Sequence, residues 1–244
     1  MRSTVRRLLA VAATAAVALT ITAAPAEAHG RQPYVKVGYF AQWGIYGRAF
    51  PLAKVQASGA AARLTHINYA FSDVTAAGVC ASADPWADFD VPFTAENSVD
   101  GVADLAGQPL SGNLNQLAEL KRRNPDLRVL ISLGGWTLSK NFSDAVLTAE
   151  SRRKLVDSCV DLWLEGNVPG RAPGVAAGIF DGIDLDWEWP GSEGNAGNVI
   201  RPEDKQNFTA LLAEFRSAID RLGRQSGHRY GLRHDPRPVS VLQP

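Results

Sequence analysis

Between Phe180 and Pro190 the chain reads FDGIDLDWEWP, in which three carboxylates, Asp184, Asp186 and Glu188, recur at alternate positions. Successive side chains of a strand point to opposite faces, so Gly182, Asp184, Asp186 and Glu188 share one side and Ile183, Leu185 and Trp187 the other. An amphipathic edge strand with a wet acidic face has the same alternation. Three like charges along one line repel, however, and no basic residue is interleaved to offset them. Acids held close together are what acid–base chemistry uses, because neighbouring charge and burial set which of them keeps its proton. Trp187, Trp189 and Pro190 give the strand a bulky aromatic end, a surface on which a sugar ring can lie.

The elements that must position these acids alternate in type. Tyr34 to Trp43, Leu64 to Phe71, Leu127 to Leu133 and Ile179 to Trp187 read as strands. Between them, Leu114, Leu117 and Leu120 recur at helical spacing before Asn124-Pro125, as do Leu155, Val156, Cys159, Val160 and Trp163 before Gly166. A long stripe of Phe208, Leu211, Leu212, Phe215, Ile219 and Leu222 predicts a helix from Pro202 to Leu222. Strands alternating with helices make βα units and a parallel sheet. The stretch from Asp73 to Gly112 is too long for a plain connection and should be functional or carry small elements of its own. No G-x-G-x-x-G follows the first strand, which removes the main support for a dinucleotide fold. Polar and aromatic residues gather instead at the C-terminal ends of strands: Gln42 and Trp43, Phe71 to Asp73, Ser132 with Gly135 and Trp136, then Asp186 and Glu188. That distribution predicts an α/β fold of the (β/α)8 barrel type, whose chemistry sits at this rim.

Composition narrows the classes further. The chain has 244 residues, 45% hydrophobic and 20% charged, with 25 basic and 25 acidic side chains. A balanced, scattered charge offers no footprint for nucleic acid. Arg2, Arg6 and Arg7 precede an alanine-rich apolar run from Leu8 to Ala24, and Ala26-Glu27-Ala28 supplies a small-x-small cleavage site. Residues 1–28 therefore read as a signal peptide, the mature chain begins at His29, and the protein is expected to be secreted with no membrane attachment after cleavage. Cys80 and Cys159 are too few for a zinc site and fit either one disulfide or two separate buried thiols. Calcium loops place Asp and Asn on a tight turn, whereas these acids lie on a strand among large apolar residues, so neither metal nor cofactor is expected.

FDGIDLDWEWP resembles the D-G-x-D-x-D-x-E signature of glycoside hydrolase family 18, the chitinases, and SLGGW at Ser132 to Trp136 is similar to that family's third-strand motif. The resemblance runs from about Tyr34 to Leu222 and implies cleavage of chitin or N-acetylglucosamine oligosaccharides. It implies Glu188 as general acid, its pKa held up by Asp186 and an enclosed site, with the substrate's own N-acetyl oxygen attacking the sugar carbon. Asp186 would hold the acetamide N–H, Asp184 would share a proton with Asp186, and Gly182 would leave space for this packing. Tyr39 and Ser132 would lie in the barrel interior as partners of Asp184, or else make ordinary core hydrogen bonds. Trp43, Trp136 and Trp189 are the candidates for sugar stacking, and Trp163, on a helical apolar stripe, is core. Chitinase-like lectins keep the barrel but replace the acid, which is present here as Glu188.

The pattern changes near the end of the chain. By the same resemblance a fifth strand should begin around Tyr230, yet Arg229, Arg233, His234, Asp235, Pro236, Arg237 and Pro238 stand there. Prolines and charges of that density are not expected to form a central parallel strand. The expectation is therefore about the first four βα units of a barrel, with a catalytic-domain portion over residues 29–232 and a divergent tail at 233–244. An inactive sugar-binding remnant or a non-functional fragment are the alternatives to an enzyme.

Overall fold

All four expected strand segments form strands, and they lie side by side. The computed structural model describes residues 34–234, and those from Val35 onward form one unit. The expected leader and cleavage site before His29, and the segment 235–244, lie outside the described residues. In chain order the strands are β1 (Val37–Ala41), β2 (His66–Val74), β3 (Cys80–Ser82), β4 (Arg128–Gly134), β5 (Gly182–Asp186) and β6 (Gly231–His234). The helices are α1 (Leu52–Ala57), α2 (Gly112–Arg123), α3 (Phe142–Ala145), α4 (Ala149–Cys159) and α5 (Asp204–Ser226). The sheet order is β1-β2-β4-β5-β6, every neighbouring pair parallel, with β3 antiparallel on the end of β2. This is a partial (β/α) barrel.

Register decides which side chains face the helices. Phe40, Ile67, Tyr69, Ile131, Ile183 and Leu185 point outward into one cluster with Leu114 and Leu117 of α2, Leu155 of α4, and Leu211 and Phe215 of α5. Each fully buried Leu, Ile or Phe there contributes roughly 1.5–3 kcal/mol over leaving it exposed, which sets the outward alternation of every strand. Trp163 is in this core, as its helical stripe predicts, and donates its indole N–H to Ser72 Oγ at 2.9 Å. Thr148 caps α4 through a reciprocal pair of hydrogen bonds with Ser151, and α5 runs past Leu222 to end at Gly227.

The long connection after β2 does carry its own elements. It turns back as β3 and then forms a single turn, Trp86–Asp90, whose Asp88 is completely buried. Tyr69 Oη and Ser82 Oγ (2.5 Å) donate to the two Asp88 carboxylate oxygens, joining the connection to β2 and β3. Burial pushes the Asp88 pKa up to about 7, against the opposing pull of these two donors. Cys80 of β3 and Cys159 at the end of α4 form a disulfide, with Cα atoms 5.0 Å apart, which settles the pairing that the sequence leaves open.

The end of the chain departs from expectation. Gly231–His234 forms a fifth parallel strand, registered on β5 from Gly182↔Gly231 to Leu185↔His234. These four residues precede both prolines, and as the last strand of the described sheet β6 needs ladder bonds on one side only. Its approach gives Gly182 a further use. A Cβ there would stand 2.2 Å from the Gly231 carbonyl oxygen, so the missing side chain makes room for β6.

Candidate active site

The face of the sheet turned away from the helices carries the acids. Tyr39 is level with Asn68 of β2; two residues on, Ser132 of β4 is level with Asp184 of β5, and a further two on, Gly134 with Asp186. Asp184 and Asp186 are 3% and 7% exposed, which means carboxyls withdrawn from water on one face. Ser132 Oγ donates to Asp184 Oδ2 at 2.8 Å, and Tyr39 Oη donates to the same oxygen at 3.1 Å. Both residues that could have been ordinary core donors are thus brought to the acid row. Burial, followed by the nearby Asp184 charge, raises the Tyr39 pKa well above that of an ordinary phenol, so the hydroxyl keeps its proton and remains a donor.

The opposite alternation anchors the strand end. Trp187 is buried, stacked on Phe142 with ring centroids 5.3 Å apart and edge-on to Phe208 at 5.9 Å. With that ring fixed outward, Asp186 is set on the other face, and the partly buried Glu188 follows just beyond the end of β5. The loop after β4 holds this segment: Gly135 N–H donates to the Asp186 carbonyl at 2.7 Å, and Glu188 N–H donates to Ser139 Oγ at 2.8 Å. The Ala70–Phe71 and Glu188–Trp189 peptides, both at this end of the sheet, are cis.

The predicted aromatics sit at the C-terminal ends of three different strands. Trp43 follows β1 and is half exposed, stacked on Phe71 at 6.0 Å; Trp136 follows β4 and is also half exposed; Trp189 follows β5 and is partly buried. Gln42 supports this end from beneath, its Oε1 accepting Phe71 N–H at 2.7 Å. Exposed Trp86, carried on the turn after β3, also belongs to this end, since neighbouring Asp84 accepts the Tyr46 hydroxyl at 2.8 Å. Sequence reasoning missed Trp86, Ser139 and the loop residue Asn198, whose Nδ2 donates to the Glu188 carbonyl at 2.9 Å. For Trp86 a signal was available, a Pro-Trp pair inside a connection too long to be passive. Among the described residues no group of three or more His, Cys, Asp or Glu is placed to hold a metal ion, and no helix is long and apolar enough to cross a membrane.

Comparisons with known proteins agree with this geometry. The catalytic domain of the psychrophilic chitinase B from Arthrobacter TAD20 superposes with a TM-score of 0.81 at 49% identity, over 82% of this chain and 51% of that one. Chitinase A1 of Niallia circulans is 38% identical over 230 residues, 85% of this chain and 31% of that protein. Chitinase C of Streptomyces lividans is 47% identical over 160 residues, 66% of this chain and 24% of that protein. The chain thus spans about a quarter to a half of the length of these relatives. The profile described as glycosyl hydrolases family 18 matches residues 35–237, more than half of the chain, and the protein belongs to that family.

Proposed function

We propose that the protein hydrolyses β-1,4-linked N-acetylglucosamine polymers, with retention at the anomeric carbon and with the substrate's acetamide as the internal nucleophile. The observation that carries this reading is the buried acid row on the open face of the sheet, with Asp184 fixed by Tyr39 and Ser132 and Glu188 at its end. Glu188 donates its proton to the glycosidic oxygen as the bond to the leaving sugar breaks. The acetamide oxygen closes on the anomeric carbon, and Asp186 accepts a hydrogen bond from the acetamide N–H and offsets the positive charge of the ring so formed. Water then opens that ring, returning a proton to Glu188. Asp184, held by two hydroxyls, sets the orientation and charge of the row next to Asp186.

Trp43, Trp136 and Trp189 provide faces for the sugar rings on either side of the cleaved bond. Export to an oxidising compartment is supported by the leader-like residues 1–28 and by the Cys80–Cys159 disulfide. The test is a matched pair of substrates. A tetramer of N-acetylglucosamine is expected to be cleaved, with the β-anomer appearing first by NMR, whereas the glucose tetramer of the same linkage is not, because it has no acetamide. Cleavage of both at similar rates, or release of the α-anomer, would overturn the substrate-assisted mechanism. Binding of the first without cleavage would identify a sugar-binding protein instead.

A further inference from the structure

The Glu188 peptide is held at both ends by side chains that are not part of the acid row. Its N–H donates to Ser139 Oγ at 2.8 Å, and its carbonyl accepts from Asn198 Nδ2 at 2.9 Å. Ser139 is only 1% exposed, and its hydroxyl is 2.9 Å from the Gly135 carbonyl and 3.3 Å from the Asp186 carbonyl. One buried oxygen therefore ties the peptides of Asp186 and Glu188 to the loop after β4. On the other side, Asn198 ends a turn of the loop before α5, its own N–H donating to the Asn195 carbonyl at 3.1 Å. Gly194 lies directly against this contact. A Cβ there would stand 2.1 Å from the Glu188 carbonyl oxygen and 2.8 Å from Asn198 Nδ2, so only a glycine lets the loop close on the peptide.

Glu188 lies past the end of β5, where the parallel ladder no longer fixes the backbone. A general acid has to lie within hydrogen-bond reach of the oxygen it protonates, and displacement by an ångström costs on the order of a hundredfold in rate. We propose that Ser139 and Asn198 are positioning residues, clamping the Glu188 peptide from two separate loops and so setting where its carboxyl stands relative to the scissile bond. The inference rests on Glu188 being the acid.

The test uses the full chain and its Ser139→Ala, Asn198→Ala and Asn198→Asp variants, the last nearly isosteric but with an oxygen where the donor was. On an N-acetylglucosamine oligomer, kcat should fall by roughly 10- to 100-fold in each, while KM stays within about threefold, since the clamp acts on the acid and not on sugar contacts. A kcat within twofold of the unmutated chain in folded Asn198→Asp protein would overturn the proposal, as would a loss confined to KM. Amide hydrogen exchange by NMR supplies a readout that needs no turnover. The Glu188 amide should exchange about tenfold faster or more in Ser139→Ala, with Ile183 and Leu185 unchanged. If the unmutated chain folds but does not cleave, the proposed hydrolysis by this chain fails on its own account, and an unchanged Glu188 exchange rate would then separately overturn the clamp.

Discussion

At the scale of single residues, two hydroxyls converge on one carboxylate oxygen of a buried acid. Tyr39 and Ser132 come from different strands, and both reach Asp184 Oδ2. A hydrogen bond to a charged group is worth about 1.5–3 kcal/mol, so Tyr39→Phe, which frees Asp184 to turn, is expected to lower kcat roughly 10- to 100-fold in a steady-state assay. The same change removes a hydrogen bond to a buried acid and should also lower the melting temperature by roughly 3–10 °C, so kcat is compared well below that transition to separate a chemical effect from unfolding. The Tyr39→Phe/Ser132→Ala pair should be non-additive in kcat, as residues sharing one acceptor are. The acid row was legible in the sequence because strand alternation is a local rule that needs only the residues of the strand. Ser139 and Asn198 were not, since a serine and an asparagine in loops carry no period, and the contacts that give them meaning span 49 and 10 positions.

At the scale of elements, the connection between β2 and α2 is fastened by a disulfide and by a buried carboxyl. Closing a loop of this length restricts the unfolded chain by about 4–5 kcal/mol in the chain-entropy account. Reduction of Cys80–Cys159 should therefore lower the melting temperature by roughly 10 °C, read by circular dichroism with and without reductant. Asp88 gives the same region a pH dependence. Its folded pKa, about 7, lies above the ordinary carboxylate value of 3.8, so its contribution is fully present below pH 4 and is lost as pH rises through 7. Urea unfolding of the chain should show Asp88 costing up to about 4 kcal/mol between pH 4 and pH 8, and Asp88→Asn should remove that slope; an identical slope in both would contradict it. Two cysteines allow one disulfide or none, so the pairing was not readable in advance, and nothing in WADFD distinguishes a buried aspartate from a solvated one. The four strands were readable, because each combines β-branched or aromatic residues with turn residues at its ends. The fifth was obscured by the charges and prolines around GLRH, which exclude a central strand but permit four residues at a sheet end.

At the scale of the molecule, helices cover one face of a sheet whose other face carries the acids and the half-exposed Tyr39. β2, β4 and β5 are each paired on both sides, whereas β1 and β6 end the described sheet. Hydrogen exchange should accordingly be slowest in β2, β4 and β5 and faster in β1 and β6; uniform protection across all five would show that the terminal strands are covered in solution. The relatives are longer than this chain, and turnover by it requires the acid row, the aromatic rim and the Glu188 segment to suffice. The most direct measurement is hydrolysis of a fluorogenic N-acetylglucosamine oligomer by the purified chain beside its Glu188→Gln variant. Turnover that falls at least a hundredfold in the variant, with the fold and sugar binding retained, is the predicted result. Equal turnover in both, or none in the folded unmutated chain, would contradict Glu188 as the acid of a working site.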